Sequence, residues 1–149
     1  MGAGSPLSDS VHQSHAADLD PVTLYRILAL RAEVFVVEQD CAYLDPDGHD
    51  LEPGVLQLWV EDGHEVVATA RLLPEGGGTR IGRVVTAAHA RGRGLAARLV
   101  EHALASSPGP WVLGAQSHLA GWYGDFGFVV DGDEYLEDGI PHVPMRREA

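Results

Sequence analysis

The sequence predicts an α/β fold: a central mixed, mostly antiparallel sheet with one parallel β-α-β crossover, flanked by helices. Three observations carry this. Strand-like runs over 55–60, 65–73 and 79–86 are separated by the turn signals Glu61-Asp62-Gly63-His64 and Pro74-Glu75-Gly76-Gly77-Gly78, which gives an antiparallel meander. The third run passes through a two-glycine loop into an amphipathic helix, whose apolar residues recur as Leu95, Leu99, Ala103 and as Ala96, Val100, Leu104. That helix stops at Ser106-Ser107-Pro108-Gly109-Pro110, and Trp111-Val112-Leu113-Gly114-Ala115 then reads as a buried strand. Strand, helix and strand in this order form a right-handed crossover with the two strands parallel.

The remaining elements follow in chain order. Residues 1–15 hold much Gly, Ser, Asp and His and few apolar side chains, so a mobile lead-in is expected there, with a short strand over 11–15, ahead of a single domain over 16–149. Asp20 is an N-cap and Pro21 a first helical residue. Leu24, Ile27, Leu28, Arg31, Val34 and Phe35 carry the helical period to about Val37, with Leu24, Leu28 and Phe35 expected on the sheet. The polar stretch 38–50 breaks that period. Within it Asp45-Pro46-Asp47-Gly48-His49-Asp50 has the look of a calcium loop, but the twelfth position is Leu56 where an EF-hand needs Glu. No metal is expected; the loop reads as a solvated turn or as one facing an acceptor. Ser117 is placed to cap a short helix carrying Leu119, Trp122, Tyr123 and Phe126 and closed by Gly127. Runs 128–130 and 143–145 are candidate terminal strands, separated by acidic turns at 131–134 and 137–142.

Composition limits the function classes. A chain of 149 residues suits one core. Its 22 acidic against 10 basic residues, a formal net charge of −12, argue against a nucleic-acid surface. All the basic residues are Arg, which excludes lysine Schiff-base chemistry. Cys41 is alone, so no internal disulfide can form, and it reads as a small apolar residue. No apolar run approaches the ~20 residues of a membrane span and no signal-peptide pattern opens the chain, so no membrane partner and a cytoplasmic residence are expected.

Arg91-Gly92-Arg93-Gly94-Leu95-Ala96 holds the strongest functional signal. First-turn amides of a helix lack partners within it, and two glycines leave them open to a ligand, so the helix start favours an anion such as phosphate. From Gly76 to Val100 there is no Asp or Glu, while Arg80, Arg83, Arg91, Arg93 and Arg98 fall there, a basic island in an acidic chain. The GxGxxG and GxxxxGK[ST] patterns are absent.

This loop resembles the [RQ]xxGx[GA] motif of the GNAT acetyltransferases. Tyr123-Gly124-Asp125-Phe126-Gly127-Phe128 is similar to the YxxxGF element of that family, and Phe35-Val36-Val37-Glu38-Gln39, Gly114-Ala115-Gln116 and Glu137-Asp138-Gly139-Ile140-Pro141-His142 resemble its ElaA branch. The resemblance runs from about Leu24 to Met145 and departs from the family in having Ala87 or Ala88 where a proline is frequent. It implies a GNAT-type fold and acetyl-CoA as cosubstrate, lying along Val84, Val85 and Thr86 with its diphosphate on Arg91, Gly92, Arg93, Gly94, Leu95 and Ala96. It further implies backbone amides near Val84 and Val85 for the oxyanion.

The chemistry would be transfer of the acetyl group to a primary amine of a small molecule or peptide, by direct attack in a ternary complex. A departing thiolate benefits from a proton donor, and the Tyr123 phenol suits that role. For the general base, Glu38 follows an apolar run, where partial burial would raise its pKa, and His142 has a ring suited to proton transfer near neutrality. His118 and Asp50 are further candidates, and a water relay would need none of them. Two other readings stay open: a non-catalytic acyl-CoA-binding or sensing module, and an interaction domain in which the glycine loop is an incidental turn. A homodimer through an exposed C-terminal strand is also left open.

Overall fold

Eight strands form one sheet in the order β1-β2-β3-β4-β5-β8-β6, with β7 paired to β8. The computed structural model describes residues 10–149; the lead-in reading for residues 1–9 lies outside the described residues. The strands are β1 His12–Ser14, β2 Leu56–Asp62, β3 Glu65–Glu75, β4 Gly78–Thr86, β5 Trp111–Gln116, β6 Val129–Val130, β7 Tyr135–Glu137 and β8 Ile140–Arg147. The helices are α1 Pro21–Arg31, α2 Leu95–Ser106 and α3 Ala120–Gly124. All strand pairs are antiparallel except β4 and β5, as the mixed fold class requires. Within the expected lead-in, His12–Ser14 join the sheet by pairing with β2.

Asp20 caps α1, its carboxylate accepting from the Thr23 amide, and Pro21 takes the first helical position. The buried face is Ile27, Leu30, Arg31 and Val34; of the expected stripe Leu24, Leu28 and Phe35, all half-buried, Phe35 packs against the core as expected and the two leucines do not join it. The helix turns this way because the Arg31 guanidinium has acids waiting beneath it. Beyond Arg31 the chain continues as a π-helical segment, Ala32–Glu38, in which the Gln39 amide reaches Val34 O at 3.0 Å and the Cys41 amide reaches Val36 O at 3.1 Å.

In α2, Leu95, Leu99, Val100 and Ala103 are buried, matching the predicted period. Emptying a site such as Leu99, which is fully enclosed, costs about 2 to 5 kcal/mol. Ser117 does not cap a helix; its hydroxyl donates to Glu134 instead, because Ser117–Leu119 is itself a 3-10 turn leading into α3. The expected turn at 137–142 is a tight hairpin. Asp138 and Gly139 are its two central residues, at φ +51° and +79°, a primed turn joining β7 to β8.

Two details of β4 position the site. Its pairing with β5 is confined to Thr79 opposite Trp111 and Arg80 opposite Val112, where the Thr79 amide and hydroxyl also hold Pro110 O at 3.0 Å and Pro108 O at 2.8 Å. Past that latch β4 stays with β3 and β5 stays with β8, so the two parallel strands part. In addition, Thr69 faces Val85 and Arg71 faces Gly82, which leaves one extra residue in β4, a bulge with Arg83 at φ +51°.

Candidate functional site: a two-lobed cleft where β4 and β5 part

The cleft opened by the parting strands has an outer lobe beside α2 and an inner lobe beside the β7–β8 hairpin. Val85, Thr86, Arg91 and Ala96 border the outer lobe, about 280 Å³. Ile81, Gly82, Arg83 and His142 border the inner one, about 130 Å³. Phe35, Gln39, Val84, Gln116, Leu119 and Tyr123 border both, so a group bridging the lobes passes among these six side chains. From Gly82 onward the β4 edge has no β5 partner and faces this space.

At the outer end Gly92 and Gly94 sit at φ +83° and +74° with nothing near where a Cβ would stand. Backbone conformation, not crowding, is what asks for glycine there. Gly94 is the N-cap of α2 and no side chain caps that end, so its first-turn amides stay open to an anion. A diphosphate fits this set of donors.

The basic island proves less free than the sequence implies, since acids from elsewhere in the chain come to it. Arg80 pairs with Glu75 at 2.7 Å, Arg83 with Asp45 at 2.9 Å, Arg91 with Glu38 at 2.8 Å and Arg93 with Asp62 at 3.1 Å. The Arg91 and Arg93 pairs are exposed, and water and salt screen them, so they add little to stability. A doubly charged ligand can displace them. Arg83 is different, for reasons given below.

Tyr123 is buried, wedged edge-on against Trp122 and Phe128 at centroid distances of 4.9 and 6.2 Å. Among the described residues no group accepts from its hydroxyl. Burial pushes its pKa up to about 12, so the phenol holds its proton throughout the neutral range.

The base candidates separate clearly. Glu38 is exposed and makes two hydrogen bonds to Arg91, at 2.8 and 2.9 Å, and those bonds lower its pKa. The expectation that burial raises it is thereby corrected: the residue ends the π-helical segment on the outside. Asp50 is consumed by Arg31 and Arg71, and His118 is exposed and does not border either lobe. His142 borders the inner lobe with its side chain only 9% exposed. Its Nδ1–H donates to Ile140 O at 2.7 Å, which leaves Nε2 as an acceptor, 3.8 Å from the Glu137 carboxylate. Tyr135 stacks on the ring at 5.7 Å.

The sequence reading did not foresee what stands behind the bulge. Asp45, in the stretch expected as a solvated turn or a loop facing an acceptor, is 1% exposed, accepts from Arg31 at 2.7 Å and pairs with Arg83 at 2.9 Å. Asp50 accepts from Arg31 at 2.7 Å and from Gln57 at 2.8 Å, and Asp47 from Arg71 at 2.8 Å. Burial alone would push the Asp47 and Asp50 carboxyls up; hydrogen bonds and charge from Arg71 and Arg83, and from Arg31 and Arg71, outweigh it and hold both below the usual range. The superficial calcium loop is thus an arginine-binding loop, and it fixes the Arg83 bulge that presents Val84 to the cleft. A charged residue inside an apolar run, Arg71 in β3 and Arg31 on the buried face of α1, was the signal available.

Comparison with known proteins agrees with this geometry. Residues 37–149 match the family described as Acetyltransferase (GNAT) domain. A UPF0039 protein of Mycobacterium tuberculosis is 47% identical over 148 residues, covering 95% of this chain and 94% of that one. Protein ElaA of Escherichia coli is 39% identical over 142 residues, covering 90% and 93%. Its crystal structure superposes with a TM-score of 0.85. A crystal structure described as an acyl-CoA N-acyltransferase from Pseudomonas aeruginosa superposes with a TM-score of 0.86 at 42% identity, covering 93% of this chain and 99% of that one.

Proposed function

This chain belongs to the GNAT acetyltransferase family, on its ElaA-like branch, and from that premise we propose that it is an acetyl-CoA-dependent N-acetyltransferase acting on a primary amine in a ternary complex. The family and the acyl-CoA N-acyltransferase neighbour support acyl transfer. Acetyl as the group carried, a primary amine as acceptor and the cytoplasm as the compartment are our reading.

The observation that carries it is that the two lobes join, and that the free β4 edge at Val84 and the buried phenol Tyr123 are both among the six residues bordering the junction. The diphosphate of acetyl-CoA would rest on the amides from Gly92 to Ala96, with Arg91 and Arg93 turned from their exposed acids, and the pantetheine arm along Val85 and Thr86. At Val84 the thioester carbonyl meets the free β4 edge, whose amides are positioned for charge on oxygen. The amine lone pair forms the C–N bond as the C–S bond breaks. The thiolate takes the Tyr123 proton, and the proton shed by nitrogen goes to His142 Nε2. Glu38 is better suited to holding Arg91 until cofactor arrives than to serving as base.

Titration calorimetry with acetyl-CoA, followed by thiol release over a panel of amines, tests this. Binding in the micromolar range with amine-dependent thiol release is expected. Acetyl-CoA that fails to bind up to millimolar concentration overturns the reading, and binding with no thiol release from any amine indicates an acyl-CoA-sensing module instead.

A further inference from the structure

The inner lobe has a shape and a polarity that are more selective than "an amine". At about 130 Å³ it is well below the ~300 to 1,000 Å³ of ordinary small-molecule pockets. Its narrowness is built in. The Cys41 thiol donates to Asp138 O at 3.6 Å and the Gln116 amide donates to Gln39 Oε1 at 3.4 Å. These two bonds tie the 39–41 segment to the β7–β8 hairpin and to β5, across the lobe. On β5, Gly114 lies so close beneath the Tyr135 hydroxyl that any Cβ there would collide with it.

The walls are apolar along the lobe and rich in acceptors at one side. Phe35, Ile81, Leu113 and Ile140 supply methylene-compatible surface. Arg83, the cation of the lining, is engaged by Asp45 and Asp47. Glu137 is left with an exposed carboxylate, 59% accessible, next to the buried His142, whose Nε2 has no hydrogen-bond partner among the described residues. An unpartnered acceptor with its side chain nine-tenths buried in a narrow lobe points to a ligand with a hydrogen-bond donor.

We propose that the acceptor is an unbranched aliphatic chain ending in a primary ammonium group, which enters the inner lobe past Glu137 and presents its nitrogen to His142 and to the gap between Val84 and Tyr123. This rests on the acetyltransferase reading above. Free linear amines and diamines share this chemistry with the lysine side chain. Amines on a branched carbon, which include the α-amino groups of residues other than glycine and amino groups on sugar ring carbons, are too broad for the lobe beside the reacting nitrogen. Glu137 acts as a positioning residue, holding the ammonium until its first proton passes to water; the neutral amine then attacks, and the second proton, shed as the C–N bond forms, goes to His142 Nε2.

The test uses the full chain with acetyl-CoA and thiol release as the readout, over n-butylamine, 1,4-diaminobutane, an Nα-blocked lysine peptide, sec-butylamine, a peptide with a free N-terminal alanine and no lysine, and an aminoglycoside whose amino groups all sit on ring carbons. At least ~10-fold higher kcat/KM for linear amines than for sec-butylamine is expected, and the diamine and lysine arms distinguish a metabolite from a protein source. Glu137→Gln, at an exposed site, should raise KM for the linear amines about 10-fold with kcat within about 3-fold. Equal or better turnover of sec-butylamine, the free N-terminus or the aminoglycoside overturns the inference and leaves the acetyltransferase reading intact. An unchanged KM in Glu137→Gln overturns the role of Glu137. No thiol release with any linear amine, from a protein that calorimetry shows to bind acetyl-CoA, also overturns the inference, whereas a protein that fails to bind acetyl-CoA removes the reading beneath it.

Discussion

At Tyr123 burial pushes the phenol pKa up to about 12, so the proposed transfer would find a proton there for the departing thiolate throughout the neutral range. Its ring is gripped by Trp122 and Phe128 while its hydroxyl binds nothing among the described residues. Tyr123→Phe should therefore keep the packing and remove only the acid. Acetyl-CoA affinity is expected within about 2-fold of the parent and kcat about 100-fold lower or more, the scale of a lost general acid. Calorimetry and thiol-release kinetics on the same preparation check it, and an unchanged kcat would assign the leaving-group proton to water. The burial of Tyr123 was readable from its helical spacing with Leu119 and Phe126, whereas its role as acid is what the resemblance to the GNAT family implies. The partner of Glu38 was not readable, because Arg91 is 53 positions away and an apolar run before an acid says nothing about which side of the element the acid lies on.

At the scale of elements, the β4-loop-α2 unit was legible almost to the residue, since a β-branched strand, two glycines and a 3.6-residue period are all local signals. The π-helical segment and the β4 bulge were not, because both arise from what lies opposite them. The β7–β8 turn is an intermediate case: Asp138-Gly139 is a hairpin dipeptide, hidden by Pro141 and Pro144 in the following strand. The glycine loop permits a controlled prediction. Gly94→Ala places a Cβ where there is room but at φ +74°, a cost of about 1 to 2 kcal/mol, and should tilt the open amides of α2. Gly63→Ala, at φ +66° in the β2–β3 turn and also in open space, carries the same backbone cost far from the cleft. Urea unfolding should find the two comparably destabilised, while only Gly94→Ala weakens acetyl-CoA binding, by about 10-fold or more. Equal binding in both would detach the loop from the cofactor.

Across the whole molecule, a chain of net charge −12 encloses a cluster in which Arg31, Arg71 and Arg83 balance Asp45, Asp47 and Asp50. It joins α1, the 40–51 loop, β3 and β4, and so couples the global fold to the β4 bulge that borders the cleft. Sequence reasoning passed over it because its members are 14 to 38 positions apart and each looks ordinary alone. Asp47 and Asp50 have folded-state pKa values below their ordinary ones. The stability they contribute is therefore complete above about pH 4 and is lost as pH falls through the folded pKa. Asp50→Asn leaves two buried guanidinium groups short of a carboxylate, and breaking such a pair costs about 3 to 5 kcal/mol. Urea unfolding from pH 7 down to 2.5 should show the variant less stable at neutral pH by that amount. It should also lose stability less steeply below pH 4, so that the two curves converge as the parent's carboxylates take up protons. Curves that stay parallel would mean that Asp50 binds its proton equally well folded and unfolded, and the cluster would then not be what holds the 40–51 loop against the bulge.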